Sequence, residues 1–95
     1  MDLIIEHIRH AIAPVLHKYE IRNASLVGSM ARGEHTPESD IDLVIEIGQP
    51  ISLLTFARMK IELGHILGKK VDLIERTAIK PRLKKYLLQD EILIF

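Results

Sequence analysis

Cysteine and tryptophan are absent from this 95-residue chain, and tyrosine and phenylalanine occur only twice each. Without cysteine there can be no disulfide scaffold, thiol nucleophile or cysteine-ligated zinc site. Aromatics at 4% leave little material for a base-stacking platform. Net charge is missing as well, because thirteen Lys and Arg balance thirteen Asp and Glu. Direct nucleic-acid binding through bulk positive charge is therefore not expected. Nowhere do eighteen apolar residues run together, which argues against a membrane span. The opening MDLIIEHIRHAIAP carries Asp2, Glu6 and Arg9 inside its apolar stretch, so it does not read as a signal peptide. What is present is a 47% hydrophobic content dominated by Ile, Leu and Val, enough to build a core. These features predict one folded domain over residues 1–95 in a cytoplasmic setting.

The balanced charge is unevenly distributed. Residues 1–57 hold four basic and eight acidic side chains, whereas residues 58–85 hold nine basic and three acidic ones. Such a chain can bind a cation at one place and a phosphate at another, or simply carry a solvated surface of mixed sign.

Apolar spacing predicts a first helix from about Asp2 to Tyr19, with Ile5, Ile8, Ile12, Val15, Leu16 and Tyr19 on one face. Pro14 falls on the opposite face with His7, His10 and His17, and predicts a bend or restart at Ala13–Pro14. A strand over about 24–27 ends at Gly28, followed by Ser29 as a helix N-cap and a brief helical turn closed by Gly33. A polar loop leads to a strand over about 40–47, then a helix capped by Ser52 and ending near Leu67. A third strand over 71–74, a helix from Pro81 to about Gln89 and an edge strand over 92–95 complete the order α-β-α-β-α-β-α-β. The fold class is α/β (α+β), with a mixed sheet packed by helices. The helix after Ser52 has two apolar stripes, Leu53/Leu54/Ala57/Ile61 and Phe56/Met59/Leu63/Ile66/Leu67, with Lys60 isolated between them. One sheet covers one side of a helix, so the second stripe is either an interface or a face buried beneath the C-terminal segment. If the stripe is an interface, Phe56→Asp or Met59→Asp is expected to abolish complex formation and leave the fold intact.

The chemistry lies in two segments, 26–34 and 39–46. Asp40 and Asp42 are two apart and share one side of a strand whose other side is Ile41, Leu43 and Ile45. Paired carboxylates in an apolar strand repel unless a cation lies between them, and hard oxygen donors favour Mg²⁺ or Mn²⁺. Asp72 is a third carboxylate inside an apolar strand, and beside the second strand it would join the pair. Three carboxylates so placed can hold two metals about 3.5–4 Å apart, a clamp for phosphoryl transfer. Gly28 and Ser29, between a strand and a helix start, offer backbone N–H groups and a hydroxyl to an anion.

Gly28-Ser29, Ala31-Arg32-Gly33-Glu34 and Ser39-Asp40-Ile41-Asp42-Leu43 together resemble the signature of the minimal nucleotidyltransferases, in the DNA polymerase beta-like superfamily. Leu67-Gly68-Lys69-Lys70-Val71-Asp72-Leu73 resembles the family's third-aspartate strand, so the likeness spans nearly the whole chain. Met30 departs from the pattern, since many members carry arginine there. The resemblance implies a nucleotidyltransferase fold and transfer of a nucleoside monophosphate from a nucleoside triphosphate with Mg²⁺. By motif position Asp40 and Asp42 would hold the triphosphate metal, and Asp72 would complete a second metal site. Gly28 and Ser29 would hold the β- and γ-phosphates, while Arg32 either braces the loop against Glu34 or Glu38 or touches nucleotide. Glu46 is expected to be structural.

Short members of this family are commonly encoded beside HEPN proteins, as the MntA-type antitoxins of HEPN/MNT toxin–antitoxin pairs. That implies AMP transfer from ATP to a hydroxyl, a tyrosine, of a HEPN toxin partner in a hetero-oligomer. No separate acceptor-binding domain is expected in a chain of this length. The alternatives are a non-catalytic module that neutralises its partner by contact, or transfer to a small molecule or an RNA end. The basic run from Lys80 to Lys85 could meet RNA, the triphosphate or an acidic partner.

Overall fold

A computed structural model of the chain describes residues 3–95. The elements are α1 (Leu3–Lys18), β1 (Ile21–Val27), α2 (Gly28–Arg32), β2 (Ile41–Ile47), α3 (Leu53–Leu67), β3 (Val71–Glu75), a 3₁₀ turn (Arg76–Ala78), α4 (Pro81–Leu87) and β4 (Ile92–Leu93). The predicted order is observed, with the 3₁₀ turn as an addition. Asp2, the expected start of the first helix, lies outside the described residues.

α1 buries Ile5, Ile8, Ile12, Val15 and Leu16, the stripe given by its spacing. It continues through Pro14 without the expected restart. Buried residues on both sides of Pro14 hold the helix to one surface. The hydrogen bond that proline cannot donate belongs to the carbonyl of His10, on the exposed side where water can serve it.

β1 starts three residues earlier than predicted. Glu20 takes a left-handed turn (φ 57°) straight out of α1. Its carbonyl accepts from the backbone N–H of Gly48 at 3.1 Å. A Cβ at Gly48 would lie 2.5 Å from that oxygen, so only glycine permits the approach. The contact brings the start of β1 to the end of β2, and the register shift between Ile21 and Asn23 admits polar Arg22.

The sheet has the order β3-β2-β1-β4. β1 pairs antiparallel with both β2 and β4, while β2 pairs parallel with β3. A parallel pair needs a crossover, which α3 provides. Ser52 caps α3 by accepting from the backbone N–H of Thr55 at 3.0 Å, and the helix ends at Gly68, as expected.

Ile41, Leu43 and Ile45 face α1 and α3 in the main core, with Met59, Leu63 and the C-terminal Ile94. The opposite face has a smaller cluster of Val27, Val44 and Ile79, flanked by Ile74, Leu87 and Leu88. Met59 is fully buried and Phe56 partly so, whereas Leu53, Leu54 and Ile61 are 85%, 68% and 61% exposed. Phe56 and Met59 are therefore not the interface positions expected: their stripe faces the core because the sheet and α1 lie on that side. The free stripe is Leu53, Leu54, Ala57 and Ile61.

Candidate active site

The candidate residues meet at one end of the sheet, where β1 finishes and β2 and β3 begin. Asp42 is the second residue of β2 and Asp72 the second of β3, and parallel register makes them direct neighbours. Val27, the last residue of β1, pairs with Asp42 from the other side. Alternation puts Asp42 and Asp72 on the face of Val44 and Ile74, away from the main core. Asp40 stands just before β2, exposed, and does not belong to the strand as expected.

The carboxylates feel one another. Asp42 titrates above the ordinary carboxylate range, first because of partial burial, then because of Asp72 and, more weakly, Asp40, with Arg32 acting in the opposite sense. Lys60 Nζ lies 3.8 Å from Asp72 Oδ1, and Lys70 Nζ lies 3.9 Å from Asp40 Oδ2. Among the described residues no three His, Asp or Glu side chains are already gathered tightly enough to enclose an ion. The donor chemistry nonetheless fits a hard divalent cation: three carboxylates crowd one end of two adjacent strands, and their repulsion is relieved by added positive charge.

Gly28 has φ 71°, and a Cβ there would lie 2.6 Å from Asp42 Oδ2. The glycine therefore carries the chain from β1 into α2 and leaves space for the Asp42 carboxylate. Ser29 is not the N-cap that the sequence predicts. Because α2 begins at Gly28 itself, the cap position falls on Val27, whose buried apolar side chain makes no cap hydrogen bond. The Ser29 carbonyl instead accepts from the N–H of Glu34 at 2.9 Å. Arg32 Nε donates to Glu34 Oε2 at 3.2 Å, so it braces the loop, and its charge also reaches Asp42. Met30 is buried in the main core.

The 34–40 loop is held by its own polar residues. Ser39 Oγ accepts from the N–H of Thr36 at 2.8 Å, and Lys69 Nζ donates to the Pro37 carbonyl at 2.6 Å. Glu46 accepts from Asn23 Nδ2 at 2.5 Å across the β1–β2 pair. A mainly apolar cavity of about 380 Å³, lined by Ile4, His7, Ile8, His35 and Leu67 among others, does not include the three aspartates. Lys60 and Lys70 escaped the sequence reading as site residues. The available signal was Lys60 itself, a lone charge between the apolar stripes of α3.

Residues 8–94 match the profile of the nucleotidyltransferase domain. The chain belongs to the nucleotidyltransferase family. It is 41% identical over 88 residues to MJ0435 of Methanocaldococcus jannaschii, which carries a protein adenylyltransferase name, covering 93% of this chain and 95% of that one. It is 29% identical over 77 residues to the protein adenylyltransferase MntA of Thermococcus cleftensis, covering 81% and 78% of the two chains. Among solved structures it resembles a chain from the tri-AMPylated Shewanella oneidensis HEPN toxin in complex with MNT antitoxin. The TM-score is 0.74 at 15% identity, over 96% of this nucleotidyltransferase and 71% of that chain, and at such identity the likeness is one of fold. Among the described residues no helix is long and apolar enough to cross a membrane.

Proposed function

We propose that this nucleotidyltransferase transfers AMP from ATP to a tyrosine hydroxyl of a HEPN toxin partner in the cytoplasm, releasing pyrophosphate and acting as the antitoxin of the pair. The observation that carries the reading is the juxtaposition of Asp42 and Asp72 on parallel neighbours, with Asp40 beside them and Gly28 against Asp42. The names of the protein adenylyltransferase relatives support it.

In this reading Asp40 and Asp42 hold the nucleotide-bound Mg²⁺, and Asp72 completes a second site with Asp40 and Asp42. Divalent cations there would neutralise phosphate charge and lower the pKa of the attacking hydroxyl. Gly28 and Ser29 receive the β- and γ-phosphates, Gly28 because its missing side chain lets the backbone approach. Arg32 keeps the 28–34 turn in place through Glu34.

The test is to incubate the protein with ATP, Mg²⁺ and a HEPN protein, then measure the HEPN protein's intact mass. An added AMP that disappears with Asp40→Ala and Asp42→Ala is expected. A second reading, neutralisation by contact alone, is favoured by the exposed Leu53/Leu54/Ile61 stripe. Absence of transfer, with the two aspartate variants still neutralising the partner, would select it over the enzymatic reading.

A further inference from the structure

Each of the three aspartates has a basic side chain close at hand, and each comes from a different part of the chain. Lys70, just ahead of β3, approaches Asp40; Lys60, from α3, approaches Asp72; the Arg32 charge, from α2, reaches Asp42. Two of the three carboxylates are thus paired directly with lysines, whereas Arg32 is bonded to Glu34 and acts on Asp42 without an ion pair. At 3.8 and 3.9 Å the lysine contacts are ion pairs rather than hydrogen bonds. The Lys60 and Lys70 side chains are 45% and 66% exposed, which leaves both ammonium groups free to swing.

A divalent cation that enters alone must displace two ammonium groups to reach the Asp72 and Asp40 carboxylates. A triphosphate brings excess negative charge and gives the displaced lysines new partners. We propose that Lys60 and Lys70 are built-in counter-ions that hold divalent-cation affinity down until nucleotide arrives, so that metal and nucleotide bind cooperatively. The proposal rests on reading Asp40, Asp42 and Asp72 as the metal ligands. Linkage makes the effect reciprocal: metal tightens nucleotide binding by the factor with which nucleotide tightens metal.

The test is Mn²⁺ binding to the whole protein at low salt, followed by the electron paramagnetic resonance signal of free Mn²⁺, with and without AMP-PNP. Without nucleotide, Lys60→Met and Lys70→Met should each tighten Mn²⁺ binding about 2–5-fold, the scale of a partly exposed ion pair. The double variant should gain about tenfold if the two sites act independently. Lys60→Arg and Lys70→Arg should stay near wild type, and the gains should shrink at high salt. The factor by which AMP-PNP tightens Mn²⁺ binding should fall in the methionine variants. Unchanged or weaker Mn²⁺ binding in folded methionine variants, checked by thermal melting, would overturn the counter-ion role. If wild type shows no Mn²⁺ binding that Asp42→Asn removes, even with AMP-PNP, the ligand reading fails and takes the proposal with it.

Discussion

Asp42 shows what a crowded carboxylate costs its own fold. Its carboxyl is partly buried beside Asp72 and Asp40, and its raised pKa records how poorly its charge is accommodated. An acid whose pKa is higher in the folded chain contributes stability fully below its unfolded value, about 3.9. That contribution is lost as pH rises through the folded value. Asp42→Asn should therefore raise the melting temperature in EDTA at neutral pH and flatten this part of the decline with pH. Melting curves of the two proteins from acid to neutral pH check it. Glu91, held below its ordinary range by Arg76, has the opposite dependence and is common to both proteins, so it cancels in the comparison. Gly28→Ala should destabilise by about 1–2 kcal/mol, since it adds a side chain at positive φ, and should also abolish AMP transfer by displacing Asp42. Denaturant melts and the transfer assay read the two effects separately. Both residues were legible in the sequence as motif members. Their contact was not, because it depends on the pairing of Val27 with Asp42.

At the scale of elements, α3 marks the limit of what periodicity can say. The spacing finds two apolar stripes on α3, but not which one the sheet and α1 will cover. Met59→Ala should cost about 2–4 kcal/mol in a denaturant melt, because Met59 is fully buried. Leu54→Asp or Ile61→Asp should shift stability by no more than about 0.5 kcal/mol, because both positions face water. The early start of β1 was hidden for a comparable reason: Arg22 and Asn23 look like loop residues, and only the Glu20–Gly48 contact draws them into the sheet. The ends of α3 were readable, since Ser52 and Gly68 act locally. Ser29 misled because Gly28 allows α2 to begin one residue sooner, leaving the cap position to Val27.

Across the whole molecule, the proposed transfer site and the exposed apolar stripe of α3 can be tested apart. The aspartates occupy the end of the sheet where β2 and β3 begin, while Leu53, Leu54 and Ile61 are exposed on α3. If the partner docks on α3, Leu54→Asp with Ile61→Asp should abolish its co-elution in size-exclusion chromatography. Asp40→Ala with Asp42→Ala should leave co-elution intact and remove only transfer. The grouping of the three aspartates was legible because paired charges in apolar strands imply neighbouring strands on one sheet. The positions of Lys60 and Lys70 were not, because they depend on how the α3 crossover lies over the sheet edge.

The parallel pairing of β2 with β3 also bears on when the site comes into existence. Its two strands are joined by the whole α3 crossover, so their pairing closes a long loop of chain. The contact of Asp42 with Asp72 therefore requires both β2 and β3, which the α3 crossover separates along the chain. A chain still emerging from the ribosome, before β3 has been made, has no assembled acidic cluster to trap a passing cation.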